Sequence, residues 1–148
     1  MKLTYTQTFR AGRERVYESL IDPAVLRKCI DGCERLEKVS ADGYEAHLKI
    51  GVGIIRGSYK GSVRITNEKP PESFTLTIEG KGAPGFVRGT AIIQLAEVAS
   101  GSEIVAEADA AVGGLIAAVG SRLIESLGKR MMAEFFRRFA EEIDHAGA

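Results

Sequence analysis

LIAAVGSRLIESLGKRMMAEFFRRFAEEI, residues 115–143, is the stretch on which the fold turns. Val119, Leu123, Leu127, Met131, Phe135, Phe139 and Ile143 recur every four residues, and Ile116, Ile124 and Phe136 widen the apolar stripe. Arg122, Glu125, Lys129, Arg130, Glu134, Arg137 and Arg138 cover the remainder. That pattern predicts one long amphipathic helix from Leu115 to about Ile143. Such a helix does not hold alone; its stripe needs an apolar face to bury against.

The residues before it supply that face. Tyr44, Ala46, Leu48, Ile50 and Val52 alternate with Glu45, His47 and Lys49, and Tyr59, Gly61, Val63 and Ile65 alternate with polar neighbours. Phe74, Leu76, Ile78, Gly80 and Gly82 form the next inward set, followed by Val87, Gly89, Ala91, Ile93 and Leu95. Ala106, Ala108, Ala110 and Val112 alternate with Val105, Glu107 and Asp109. Period-two runs joined by short turns predict antiparallel strands, each with one buried face. Near the start, Leu3, Tyr5, Gln7 and Phe9 alternate with Thr4, Thr6 and Thr8, adding a strand and making about seven. Between that strand and the rest, Val16, Tyr17, Leu20 and Ile21 mark one short helix. Asp22-Pro23 starts another that buries Val25, Leu26, Cys29 and Ile30, with Asp22 as its cap. The predicted architecture is α+β, in the order β-α-α-β6-α: a curved antiparallel sheet wrapped around a long C-terminal helix, in one domain over residues 1–148.

Bulk properties narrow the function. Lys plus Arg and Asp plus Glu are equal at 20 each, so the formal net charge is zero. That balance supplies no electrostatic footprint for nucleic acid and no general pull toward an anionic membrane. No apolar run reaches the length of a membrane span, and the start lacks the apolar core of a signal peptide. Both cysteines stand in CIDGC, residues 29–33, one residue wider than a redox or zinc-ribbon pair. His47 and His145 lie far off, so a four-ligand zinc site has no second ligand pair. The thiols are expected reduced and metal-free, Cys29 is expected buried, and the motif reads as a corner closing at Asp31-Gly32. A reducing cytoplasm is the default compartment for such a chain, and no cofactor is expected.

The inward face carries an unusual share of small residues: Ala46, Gly61, Gly80, Gly82, Gly89, Ala91, Ala106, Ala108 and Ala110. The first half of the long helix matches it with Ala117, Ala118, Gly120 and Ser121. Packed interiors leave few voids, so small against small means close backbone approach or a cavity. A curved sheet cannot follow one straight helix closely along its length, and a cavity at the helix's N-terminal half is the expectation. Gly120 and Gly128 would each cost a helix about 1 kcal/mol, which suggests that room is needed there. The expected lining is Tyr44, Tyr59, Gly61, Phe86, Gly89, Ala91, Ala106, Ala108, Ala110, Ala117, Gly120 and Leu123. Tyr5, Gln7, Tyr44 and Tyr59 are its inward polar groups, and tyrosine is no base near neutral pH. Parity sends Glu45, His47, Glu107 and Asp109 outward. No nucleophile elbow or phosphate loop is present, and the glycine-rich runs at 51–57 and 80–85 read as hairpin turns at the cavity mouth. A non-enzymatic binder of an apolar small molecule is the expected class.

Four blocks carry a resemblance: LIDPAVLRKCIDGCERLE (20–37), GSYKGSVRI (57–65), PPESFTLTIEGKGAPGFVRGTA (70–91) and ADAAVGGLIAAVGSRLI (108–124), with Phe135-Phe136 downstream. Together they resemble the carbon monoxide dehydrogenase G-subunit family of the START-like helix-grip superfamily. The family has proline where this chain has Asp31, and aspartate can bond its own backbone and leave that turn looser. The resemblance implies association with a molybdenum-containing dehydrogenase, in its assembly or docking, and handling of an apolar ligand such as a quinone. Many relatives carry a C-terminal extension that could reach a membrane. This sequence stops at Ala148, so no stable membrane insertion is expected, and any membrane contact would be peripheral, at the inner face. A cyclase- or hydrolase-type enzyme and a chaperone-like module for hydrophobic ligands remain alternatives.

Overall fold

The structure is a computed structural model that describes residues 1–51 and 53–146. Its elements are β1 (Lys2–Phe9), α1 (Arg13–Leu20), α2 (Pro23–Cys29), β2 (Cys33–Lys38), β3 (Gly43–Ile50), β4 (Gly57–Lys69), β5 (Ser73–Gly82), β6 (Gly85–Val98), β7 (Gly101–Gly114), α3 (Leu115–Ala118) and α4 (Ser121–Ala146), with one 3-10 turn at Gly53–Ile55. All strands pair antiparallel in one sheet of order β1-β7-β6-β5-β4-β3-β2. This is the helix-grip arrangement. The alternation read from sequence holds strand by strand: Leu3, Phe9, Tyr44, Ala46, Tyr59, Ile65, Phe74, Ile93 and Ile104 are buried on the concave face. Val52, expected to continue that face, and the chain end at Ala148 lie outside the described residues.

Two features of the C-terminal helix differ from expectation. It is broken: α3 ends before Val119, and α4 begins after Gly120, whose φ of 97° only glycine adopts easily. Gly120 therefore marks a change of direction rather than a weak point inside one helix. The stripe also rotates. At 3.6 residues per turn, a step of four overshoots the face, so a strict four-residue period winds around the helix. Leu123 is 60% and Met131 45% exposed, whereas Ile124, Phe136, Phe139 and Ile143 are buried.

The helix lies with its backbone closest to β1 at one sheet edge and to α2 beside the other. At β1 the approach is tight: a Cβ on Gly128 would stand 2.9 Å from Leu3 Cδ1. Glycine at 128 therefore serves close packing and not open space. Tyr5 stacks on Phe136 with ring centroids 4.9 Å apart, and the Arg15 guanidinium donates to the Ile143 carbonyl near the helix C-terminus. Phe9, Val16, Tyr17, Phe74, Ile93, Leu95, Ile104, Phe136 and Phe139 pack into the main core cluster.

The corner at 29–33 is anchored from both sides. Asp22 caps α2 by accepting from the Ala24 N–H at 3.0 Å, and Cys29 is fully buried at the helix end. The Gly32 carbonyl accepts from Lys49 N–H at 2.8 Å. Asp31, expected to loosen the turn, instead reaches α4: its carboxylate stands 3.3 Å from Arg138, which also holds Glu134. Asp31 is largely exposed, so the pair contributes about 1 kcal/mol or less. Gly32 matters more. Its φ is 77°, and an added Cβ would lie 2.2 Å from the Lys49 carbonyl oxygen. Gly32→Ala should lower stability by at least about 1–3 kcal/mol in denaturant unfolding, while Asp31→Ala costs under about 1 kcal/mol. Equal effects of the two would show that the corner is not held by its backbone.

Candidate functional site

The concave face is filled by two apolar clusters and not by one. The main cluster occupies the C-terminal half of α4. The second joins Ile55, Tyr59, Ile116 and Ile124, with Leu48, Ile50, Val87, Val112, Val119 and Leu127 around them. It sits under the turns at 53–57, 82–85 and 113–120. Between the clusters two rows of cross-strand neighbours form a waist. One runs Ala46, Gly61, Gly80, Val87 and Val112; the next runs Tyr44, Val63, Ile78, Gly89 and Ala110. On α4 Gly128 packs at the β1 edge, and Met131 stays 45% exposed.

The waist is open. A Cβ built on Gly80 would meet no atom within 4 Å, and one on Gly61 would meet only Glu79 and Ala46 of the adjacent strands, at 3.6 and 3.9 Å. Ile78, inward by register between Val63 and Gly89, is nevertheless 37% exposed. An apolar side chain on a concave face with solvent above it is space that neither sheet nor helix fills.

Of the twelve residues expected to line a cavity, the structure brings only some together. Gly61 and Gly89 lie in the waist, with Tyr44 and Ala110 at the ends of its rows. Gly89 is crowded in the plane of the sheet, since its Cβ would stand 2.8 Å from the Asp109 carbonyl oxygen and 3.1 Å from Ala110 Cβ. Ala91 and Ala106 are buried in the main cluster, with Ala108 packed against it. Tyr59 belongs to the second cluster, where its ring covers Gly82: a Cβ there would approach the ring to 2.7 Å. Ala110 and Ala117 line a separate groove of about 360 Å³ at the β1 edge, with Met1, Val112, Ser121 and Ile124.

Three positions are corrected. Phe86 pairs with Gly113, alternates with inward Val87, and lies on the convex face; a Cβ on Gly113 would stand 2.3 Å from its ring. Arg88 stacks over the same ring at 5.3 Å. Leu123 points to solvent because the stripe rotates past it, and Gly120 is exposed at the helix break. Missing from the expected lining were Gly80 and Ile78. Gly80 stood among the small inward residues, but nothing in the alternation showed that α4 carries no filling side chain above it.

The chemistry of the site is apolar. Tyr44 donates to the Ile21 carbonyl at 2.6 Å, and Tyr59 donates to the Ile55 carbonyl. Both phenolic protons are thus committed to backbone. Burial raises both pKa values, with Glu68 and Asp22 adding to the effect at Tyr44. His47, Glu107 and Asp109 are exposed on the convex face, and Glu45 there faces Lys60 at 3.6 Å. Among the described residues no three His, Cys, Asp or Glu side chains gather as metal ligands, and no helix is long and apolar enough to cross a membrane.

The profile of the CoxG family, the G-subunit family of carbon monoxide dehydrogenase, matches residues 7–144. No curated protein matches the chain. A crystal structure of a conserved protein from Geobacillus kaustophilus is 32% identical, with 99% of this chain and 97% of that one covered at a TM-score of 0.94. A protein from Chromobacterium violaceum (17% identical, 96% of each chain, TM-score 0.74) and one from Staphylococcus aureus (10% identical, 99% and 95%, TM-score 0.75) share the fold.

Cys29 and Cys33 are both free thiols. Burial, and then Glu142, push the Cys29 thiol up to about 11, against the opposing pull of Arg138 and Lys28. Cys33 is raised mainly by burial as well, and its thiol donates to the Arg35 carbonyl at 3.3 Å. The sign follows: an acid whose pKa is higher folded than unfolded favours the fold below the unfolded value, here near 9. That contribution is lost as pH climbs from about 9 toward 11. The denaturant midpoint should therefore fall over that range, and fall less in Cys29→Ala. In native protein near neutral pH a maleimide should label Cys33 well ahead of Cys29; equal rates would place Cys29 at the surface.

Proposed function

The chain belongs to the G-subunit (CoxG) family of carbon monoxide dehydrogenase, and from that premise we propose a non-enzymatic accessory protein of a molybdenum-containing dehydrogenase of that type. Its task in this reading is to hold an apolar, ring-bearing molecule of quinone-like character in the waist between the sheet and α4. Loading or docking of the enzyme follows from that binding, and contact with a membrane is peripheral. One observation carries the reading: nothing stands within 4 Å above Gly80 on the concave face of the sheet.

The surrounding groups suit such a guest. Ile78 is an exposed apolar side chain beside the opening, and Val63 lies next to it across the strands. A flat ring slides between aliphatic walls without desolvating a charge, since the carboxylates of β3, β5 and β7 stand on the opposite face. The tyrosines are held by backbone carbonyls and can only accept a hydrogen bond from the guest. Among the described residues the concave positions of the two waist rows carry no acid, base or thiol, which supports binding over turnover.

Gly80→Leu tests the space directly. If the waist is open, the side chain fills it, removes a strand glycine and raises stability by about 0.5–1 kcal/mol, while a quinone analogue no longer shifts the melt. Wild type should show that shift, because a ligand bound only by the folded state stabilises it by mass action. Gly82→Ala is the contrast: its Cβ would stand 2.6 Å from the Ser58 carbonyl and against the Tyr59 ring, so it should melt lower. A Gly80→Leu variant that melts below wild type, with no ligand shift in either protein, would overturn the proposal.

A further inference from the structure

An open antiparallel sheet ends in two strands whose outer backbone groups lack a strand partner, and here these are β1 and β2. The first has α4 alongside it. The second stands more in solvent: Glu34, Arg35, Glu37 and Lys38 are exposed, and Cys33 and Leu36 are half-buried. The hairpin to β3 determines where its backbone groups point. The Val39 N–H donates to the Gly43 carbonyl at 2.9 Å, and Lys38, Glu37, Leu36 and Arg35 then pair with Tyr44, Glu45, Ala46 and His47. Bonded and non-bonded pairs alternate along an antiparallel ladder, so Arg35, Glu37 and Val39 turn their backbone groups toward β3. Leu36 and Lys38 turn theirs outward. Among the described residues no other backbone segment or side chain bonds to them.

A second copy of β2 fits that edge. Backbone bonds can be exchanged only between outward-turned residues, which limits two antiparallel β2 strands to registers two residues apart. Centred on Arg35, the pair sets arginine against arginine; centred on Glu37, it sets glutamate against glutamate. Centred on Leu36, it sets Arg35 against Glu37 of the partner subunit, Glu34 beside Lys38 of the partner subunit, and leucine against leucine. Opposite charges across a strand pair attract and like charges repel, so one register is favoured and both neighbours are excluded. Charges on an edge strand commonly keep other strands away; these are arranged to accept a copy of themselves. Arg35 already donates to Glu37 of its own strand, and both side chains are more than half exposed, so pairing closes a square of alternating charge. The bulge between Cys33 and Arg35 confines the new ladder to residues 34–38. Val39, 55% exposed at the strand end, then lies beside the start of the second strand. We propose that β2 pairs with β2 of a second copy about a two-fold axis at Leu36, joining the two seven-stranded sheets into one. Leu36 heads the row Ala46, Gly61 and Gly80, so the waists of both copies open on the same side of the joined sheet.

Sedimentation velocity of the whole chain over a range of concentrations tests the pairing. One short strand pair is a small interface, so wild type should dimerise reversibly with a dissociation constant of about 10–1,000 μM. Arg35→Glu and Glu37→Arg each turn two attractive contacts into two repulsive ones, and each alone should weaken the dimer by roughly tenfold or more. An equimolar mixture of the two variants should dimerise again, because every cross-strand contact in the mixed pair is then of opposite sign. The double variant R35E/E37R keeps the wild-type net charge and should dimerise as wild type does, which general attraction between oppositely charged proteins does not explain. Lys38→Pro removes an outward N–H and leaves the bonds to β3 in place; it should be monomeric with every other charge of the strand intact. Circular dichroism and thermal melts identify any variant that fails to fold, and the mixture and the double variant then decide the matter. Wild type that stays monomeric up to about 1 mM, a dimer untouched by the single reversals and by Lys38→Pro, or a mixture and a double variant that both remain monomeric overturns the proposal.

Discussion

The backbone of α4 comes closest to the sheet at one edge, β1, and most of the architecture follows from that restriction. At β1 the contact is close enough to require glycine at 128, and at the other side the helix rests on α2 and not on a strand. A curved sheet spanned in this way leaves its middle strands below the helix with a gap that side chains must fill. Toward the C-terminus they do, with the rings of Phe135, Phe136 and Phe139 packed on one another and on Phe9. Toward the N-terminus the filling comes from a separate group built on Ile55, Tyr59, Ile116 and Ile124. Where neither group reaches, the waist remains.

This division lets one half of the molecule supply stability and the other supply a site. The main cluster holds α1, α2, α4 and the strands, β2 through the partly buried Leu36, around fully buried side chains such as Val16, Ile104 and Phe139. Burial of this kind is worth about 1.5–3 kcal/mol for each large apolar side chain, enough to tolerate an unfilled region elsewhere. The second cluster is smaller and joins the first turns of α4 to the 3-10 turn, α3 and the nearby strand ends. Gly114 and Gly120, both with positive φ, bracket the four residues of α3 that form its roof. Local stability should be lowest there, since a short helix between two glycines has few contacts to hold it.

How much of this was legible from the chain depends on which rule governs each part. Period-two alternation placed nearly every strand side chain on its correct face, from Leu3 to Val112, because a half-buried sheet leaves no other choice. The α2 cap at Asp22 and the buried Cys29 follow equally local rules. The failures share a cause: each concerns a relation between elements. A repeat of four seemed to define one stripe, yet only the position of β1 decides that Phe136 faces inward and Leu123 does not. Gly120 and Gly128 look alike in sequence, but one breaks the helix and the other packs against Leu3. Phe86 sits one residue beyond a turn whose parity the turn itself determines. Asp31 finds its partner at Arg138, 107 residues away, a pairing no local rule contains.

Charge shows the same limit at larger scale. Twenty cations and twenty carboxylates sum to zero, and the sum says nothing about where they stand. Along the chain the basic, acid-free segments are scattered over three separate stretches, 46–59, 80–90 and 110–124, each too short to stand out. Hairpin topology then collects them, because antiparallel strands put alternate turns at the same end of the sheet. The turns at 53–56, 83–84 and the start of α3 fall at one pole; those at 70–72 and 99–100 fall at the other. The second pole is mixed, with Arg10, Arg13 and Lys69 beside Glu68, Glu72 and Glu97, so the segregation is confined to the first. One arrangement of strands thus collects these cations at the end of the molecule that also carries the second cluster.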